Sequence, residues 1–262
     1  MISFEIDQLY GWINSFLWPF FRIAGLLGTA PLLGESSIPV RLKVGFAALV
    51  SVAIAPALGP LPQVPTGSFA GLWIAIQQVL IGTAMGLVMR IVFAAVQTAG
   101  EFIGLQMGLS FASFFDPSTG ANTAVLARIM NIVAMLVFLA LNGHLVMLGG
   151  LVHTFDVLPI QIGGLDTNGW GVLFEWSSQV MVSGMLLALP LIIVLLTINL
   201  ALGILNRTAQ QLSVFAVGFP ISLMTGLVLL TIVLPQTLPF LSRLFDNGYS
   251  TMARLAQALA GN

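Results

Sequence analysis

The sequence predicts an all-α membrane protein, with about six long hydrophobic helices arranged as hairpins. Three observations carry that prediction. Of the 262 residues, 58% are hydrophobic and only 6% are charged. A soluble domain carries about 25% charged residues, because its surface must face water. Apolar stretches long enough to cross a hydrocarbon core of about 30 Å recur along the chain. The breaks between them hold the residues that end helices.

The stretches run, in order, over 9–33, 44–60, 69–96, 124–151, 178–205 and 212–240. Gly34, Glu35, Ser36, Ser37 and Pro39 separate the first two, and Pro56, Pro60, Pro62 and Pro65 close the second. Asp116–Pro117–Ser118–Thr119–Gly120 divides the third from the fourth. The segment from Asp156 to Glu175, with Gly163, Gly164 and Gly169, divides the fourth from the fifth. The third stretch is too long for a bilayer. No proline occurs between Pro65 and Pro117. Helix-compatible residues there extend over about 60 Å, twice what a hydrocarbon core needs. That helix either bends sharply or projects beyond the lipid.

Basic residues flanking the spans set the orientation. Arg41, Lys43 and Arg207 are expected on the cytoplasmic side, with the acidic 152–176 loop outside. Arg243 and Arg254 then fall outside, against the rule. The N-terminus, with Glu5 and Asp7 ahead of its apolar run, does not read as a cleaved signal.

Several function classes drop out. A net charge of −1 gives no footprint for nucleic acid. The chain has no cysteine, so thiolate metal sites and cysteine nucleophiles are excluded. His144 and His153 are nine residues apart, on opposite faces of a helix, which is wrong for a shared metal. No Ser/His/Asp set, helix-spaced carboxylate pair or phosphate-cradling loop occurs. No enzyme, metal or cofactor is expected.

Polar groups within the spans should face protein or water. They include Arg22, Gln77, Gln78, Arg90, Gln97, Glu101, Gln106, Asn131, Asn142, His144, Gln179 and Asn199. Arg90 and Glu101 share a helical face but lie about 16 Å apart, too far to pair. Partners must come from other helices, other subunits or an aqueous pore. Gly82 and Gly86, like Gly100, Gly104 and Gly108, repeat every four residues, a spacing for close helix approach within the chain or between subunits. Phe111, Phe114 and Phe115 fall on one side of a helical turn, with Met107 as a flexible filler beside them. Taken alone, the cluster reads first as a packing face and second as an apolar plug.

Four blocks then resemble one family. They are Arg22–Ile–Ala–Gly–Leu–Leu–Gly–Thr–Ala–Pro31 with Ile38–Pro–Val–Arg–Leu–Lys43; Gly100–Glu–Phe–Ile–Gly–Leu–Gln–Met–Gly–Leu–Ser–Phe–Ala–Ser–Phe–Phe–Asp–Pro117; Val125–Leu–Ala–Arg–Ile–Met130 with Asn142–Gly–His144; and Leu205–Asn–Arg–Thr–Ala–Gln–Gln–Leu–Ser–Val–Phe–Ala–Val–Gly–Phe–Pro220. In this order and at this length they resemble the FliR family of bacterial type III export-gate subunits. One departure is Gln210–Gln211, where the family usually has proline then glutamine.

The resemblance implies a single export-gate domain over 1–262, like a FliP-like part joined to a FliQ-like part, in a hetero-oligomeric ring. It implies FliP-like and FliQ-like partners, an FlhB-like subunit on the cytoplasmic side, and unfolded flagellar proteins as transient substrates. The location it implies is the bacterial inner membrane, multi-pass, in the flagellar basal body, partly raised on the periplasmic side. A pore loop over 104–122 would hold the plug of Met107, Phe111, Phe114 and Phe115, with Gly104 and Gly108 as hinges. The plug reading thereby moves ahead of packing. Gly82, Gly86, Arg90, Gly100, Glu101, Arg128, Asn206 and Arg207 are expected at helix or subunit contacts. Arg128 could pair with Asp116 or Glu101, and Arg207 also reads as a topology-setting charge. The virulence injectisome homologue is the nearer alternative, and a small-molecule transporter the more distant one.

Overall fold

The structure, a computed structural model, describes residues 6–59, 61–62, 64–109, 125–208 and 218–261. Eight α-helices and no strand occur among the described residues. They are α1 (Ile6–Thr29), α2 (Val40–Ile54), α3 (Phe69–Gln106), α4 (Val125–Ala140), α5 (Gly143–Val157), α6 (Gly169–Ser177), α7 (Gln179–Thr208) and α8 (Phe219–Leu259). A 3-10 turn at Ala55–Ala57 follows α2.

Each of the six apolar stretches falls on a helix or a broken helix. The second starts and ends earlier than expected, because Pro39 lies at the start of α2 and Pro56 forces the 3-10 turn. The fourth is broken. Asn142 adopts a left-handed φ of 54°, a conformation asparagine tolerates better than most residues. Its carbonyl then accepts from the Leu145 and Val146 amides, which starts α5. The third is one continuous helix of 38 residues, about 57 Å long. No break interrupts α3, so the helix is far longer than a hydrocarbon core is thick. Among the described residues four spans are long and apolar enough to cross a membrane, five if α4 and α5 count as one.

The chain forms two compact units that interleave along its sequence. One comprises Met1–Ile91, Asn142–Ser177 and Asp246–Asn262; the other comprises Val92–Leu141 and Ser178–Phe245.

In the first unit, α1 packs backbone to backbone on α3. A Cβ at Gly25 would lie 2.6 Å from the Val79 carbonyl oxygen. One at Gly82 would collide with the Arg22 carbonyl, and one at Gly86 with the Thr29 hydroxyl. Trp18, Val64, Ile74, Phe155 and Ile160 form an apolar core beside this crossing. Polar side chains tie in the irregular segments. Asn14 Nδ2 donates to the Val64 carbonyl (3.0 Å), and Gln77 Nε2 to that of Gly163 (2.6 Å). The Ser51 hydroxyl donates to the Phe16 carbonyl (2.6 Å), in the turn before Pro19.

In the second unit, Phe93, Phe138 and Phe245 form a three-ring core with centroids 5.4–5.7 Å apart. Two of its contacts are edge-to-face, the favoured geometry for aromatic quadrupoles. A Cβ at Gly100 would lie 2.5 Å from Ala127 Cα, so α3 and α4 cross there with no side chain between them. Gly184 brings α7 close to α3, where an added Cβ would lie 2.9 Å from the Ala95 carbonyl oxygen.

Candidate functional site

Two polar constellations stand out, one in each unit. The first surrounds Arg22, which is fully buried. Its Nε donates to Gln78 Oε1 (2.7 Å), Nη1 to Thr154 Oγ1 (3.0 Å) and Nη2 to the Leu158 carbonyl (3.0 Å). The guanidinium lies over the Phe155 ring, 4.1 Å from its centroid. No carboxylate joins it among the described residues. Three neutral acceptors from α3, α5 and the turn after α5, plus a ring face, therefore replace water around this cation. Thr154 Oγ1 in turn donates to the Leu151 carbonyl (2.6 Å), which leaves its lone pairs for Arg22. Of the sources considered for such partners, other helices of the same chain supply two of the Arg22 acceptors, and the turn after α5 supplies the third.

The second constellation closes the C-terminal end of α3. A helix leaves its last carbonyls without intrahelical donors. The Gln106 carbonyl accepts from Asn199 Nδ2 of α7 (3.2 Å). Asn199 Oδ1 accepts from the Ser222 hydroxyl of α8 (2.7 Å), which fixes the amide orientation. Met107 is 1% exposed and fills a notch at Gly226, one turn after Ser222. A Cβ at Gly226 would lie 2.5 Å from Met107 Cγ. Gly108 follows with φ of +78°, a left-handed conformation that suits glycine and stops the helix.

The expected site residues distribute as follows. Met107 and Gly108 lie at the second constellation. Gly104 is buried inside α3, with Leu109 and Leu126 at ordinary contact distance. Phe111, Phe114, Phe115 and Asp116 lie outside the described residues. Gly82 and Gly86 serve the α1–α3 crossing, and Gly100 the α3–α4 crossing. Glu101 and Arg128 flank that crossing and are both exposed, but form no ion pair with each other. Arg90 is also exposed. Arg207 is exposed in the last turn of α7, where a cation complements the helix dipole, and Asn206 precedes it on the backbone of that helix.

Sequence reading singled out Gln106 and Asn199 but not their pairing, and it passed over Ser222 and Gly226. The signal was faint: one amide in the apolar run 178–205, and a serine and a glycine four residues apart on α8. Among the described residues no group of three or more His, Asp or Glu side chains is placed to hold a metal.

Residues 13–248 match the family described as bacterial export proteins, family 1. The chain is 48% identical to the flagellar biosynthetic protein FliR of Escherichia coli (strain K12) over 259 residues, covering 99% of both chains. It is 45% identical to the protein of that name from Pectobacterium carotovorum subsp. carotovorum over the full length of both. The identity to that from Bacillus subtilis (strain 168) is 29%, over 94% of this chain and 96% of the relative. A profile match over most of the chain and end-to-end identity at this level mean that the chain belongs to the FliR family of bacterial export proteins.

Proposed function

We propose that the chain is a non-enzymatic subunit of the flagellar type III export gate. The whole chain 1–262 acts as one export-gate domain in the bacterial inner membrane. It assembles with FliP-like and FliQ-like subunits into a closed helical ring, with an FlhB-like subunit on the cytoplasmic side. Unfolded flagellar proteins pass through the centre. Part of the ring stands above the bilayer on the periplasmic side, in keeping with a helix as long as α3.

One observation carries this reading: α2, the α6–α7 span and α8 leave most of their apolar surface uncovered. In the most apolar windows, 61% of α3 is buried, but only 11% at α2, 22% at the α6–α7 span and 17% at α8. Leu186, Ile193, Leu196, Leu200 and Ile204 are each more than half exposed along α7. Lipid can cover such surface, but it cannot satisfy the exposed charges Arg90, Glu101 and Arg128. Neighbouring subunits supply both apolar cover and polar partners. Gly82, Gly86, Gly100, Asn206 and Arg207 complete the set of packing positions.

The plug consists of Phe111, Phe114 and Phe115 with Met107, hinged at Gly104 and Gly108. A ring of such side chains closes a pore by excluding water. The flagellar names of the relatives favour the flagellar machine over the virulence injectisome. A solute transporter, functional alone, is less well supported by so much uncovered surface. Substituting Phe111, Phe114 and Phe115 with alanine is expected to raise small-ion leak through the assembled gate on the order of tenfold. Cells expressing that variant, assayed by membrane conductance, should leak while still exporting flagellar subunits. Unchanged conductance would reduce the phenylalanines to packing.

A further inference from the structure

One face of α3 stays open along the helix. At about 100° per residue, every exposed residue of α3 falls within a single arc of about 120°. In the N-terminal half that arc presents Phe69, Leu72, Trp73, Ile76, Val79 and Leu80. Further along it presents Arg90, Gln97, Glu101 and Leu105. We propose that a single helix of a companion subunit lies along this face, with an acidic side chain opposite Arg90 and a basic or amide side chain three turns away, opposite Glu101. This seat rests on the export-gate reading and gives its companion a position, a shape and a charge pattern.

Charge and shape together select that occupant. Arg90 and Glu101 form no ion pair among the described residues, and they stand about 16 Å apart along the face. Each therefore needs a complementary group from elsewhere. Lipid chains would suit the apolar half but leave the two charges uncompensated. Water would suit the charges, but Ile129, Ile132 and Leu136 of α4, which crosses α3 at Gly100, are exposed and apolar. A second copy laid alongside in the same orientation and register would set Arg90 against Arg90, like charges that repel. An irregular segment would press unpaired backbone N–H and C=O groups against the apolar half, whereas a helix satisfies its own. The face is also long and straight, about 48 Å from Phe69 to Glu101, as a packed helix requires. Arg128 stands across the α3–α4 crossing from Glu101, so the stricter demand falls on Arg90.

The test places a photo-crosslinking amino acid in turn at Leu72, Ile76 and Gln97 of the full chain. Each variant is expressed with FliP-like and FliQ-like subunits, irradiated in membranes and mapped by mass spectrometry. All three positions are expected to cross-link to the same companion subunit, at sites three or four residues apart, or multiples of that spacing, on one of its helices. In parallel, Arg90→Glu is expected to lower the yield of the assembled complex about tenfold, while Arg90→Lys keeps it near wild type. Reversing the charge of an acidic companion residue at the mapped site is expected to restore the Arg90→Glu yield.

Cross-links to lipid, to a second copy or to different subunits at the three positions would overturn the seat. The export-gate reading would still stand if companion subunits co-purify with the wild-type chain, and a wild-type chain that co-purifies with none would overturn both. Equal yields from Arg90→Glu and Arg90→Lys would overturn the charge pairing. If the Arg90→Glu chain fails to fold, the cross-links from Leu72, Ile76 and Gln97 decide the question by themselves.

Discussion

Arg22→Ala is expected to destabilise the folded chain by about 3–5 kcal/mol, through lost packing and abandoned acceptors together. The guanidinium is the hub that joins α1 to α3 and α5. Its removal leaves a cavity beside Trp18 and Phe155, and strands Gln78 Oε1 and the Leu158 carbonyl in an apolar interior. A loss of that size is a large share of the 5–15 kcal/mol that holds a typical domain together. Arg22→Lys should recover only part of it, because a single ammonium cannot reproduce a planar fork facing three acceptors. The measurement is thermal unfolding in detergent, with the amount of folded chain in membranes as a second readout. An Arg22→Ala protein as stable as wild type would mean that the network is incidental.

Gly82→Val should be nearly as damaging, with a loss of about 3 kcal/mol from overpacking. The obstacle is backbone and cannot swing away: a Cβ at Gly82 meets the Arg22 carbonyl and lies 2.9 Å from the Leu26 amide nitrogen. α1 would have to retreat from α3, and Arg22 would move with it. Position, not residue type, decides the outcome, and Gly149 supplies the control. It lies inside α5 with nothing within 4 Å of a Cβ. Gly149→Ala should therefore be neutral or stabilising by about 0.5–1 kcal/mol, the usual gain in helix propensity. Equal effects at Gly82 and Gly149 would contradict the close crossing.

Much of this was legible in the sequence because membrane helices are written in composition. The apolar runs located every helix but α6 (Gly169–Ser177), which lies mostly in the segment read as a break, and the absence of proline between Pro65 and Pro117 foretold the length of α3. Four-residue glycine spacing marked the helix crossings, although it could not separate Gly82, which faces a backbone, from Gly104, which does not. The break at Asn142 was hidden, since the hydropathy of 124–151 runs straight through it. It depends on a left-handed residue, which hydropathy does not encode. The partners of Arg22, Gln106 and Asn199 were also out of reach. They come from 56 to 136 positions away for Arg22 and 93 for the Asn199–Gln106 bond, and no local pattern carries such pairings.

The surface left open by α2, α7 and α8 ties the fold to its role, because it is where companions must sit. Detergent extraction of the membrane followed by affinity purification of this chain, with mass spectrometry of the intact assembly, addresses that most directly. The expected result is a discrete complex in which the chain is recovered in a fixed ratio with other small, strongly hydrophobic subunits. Recovery as a stable, well-folded particle containing this chain alone would contradict the proposal that sister subunits complete its structure.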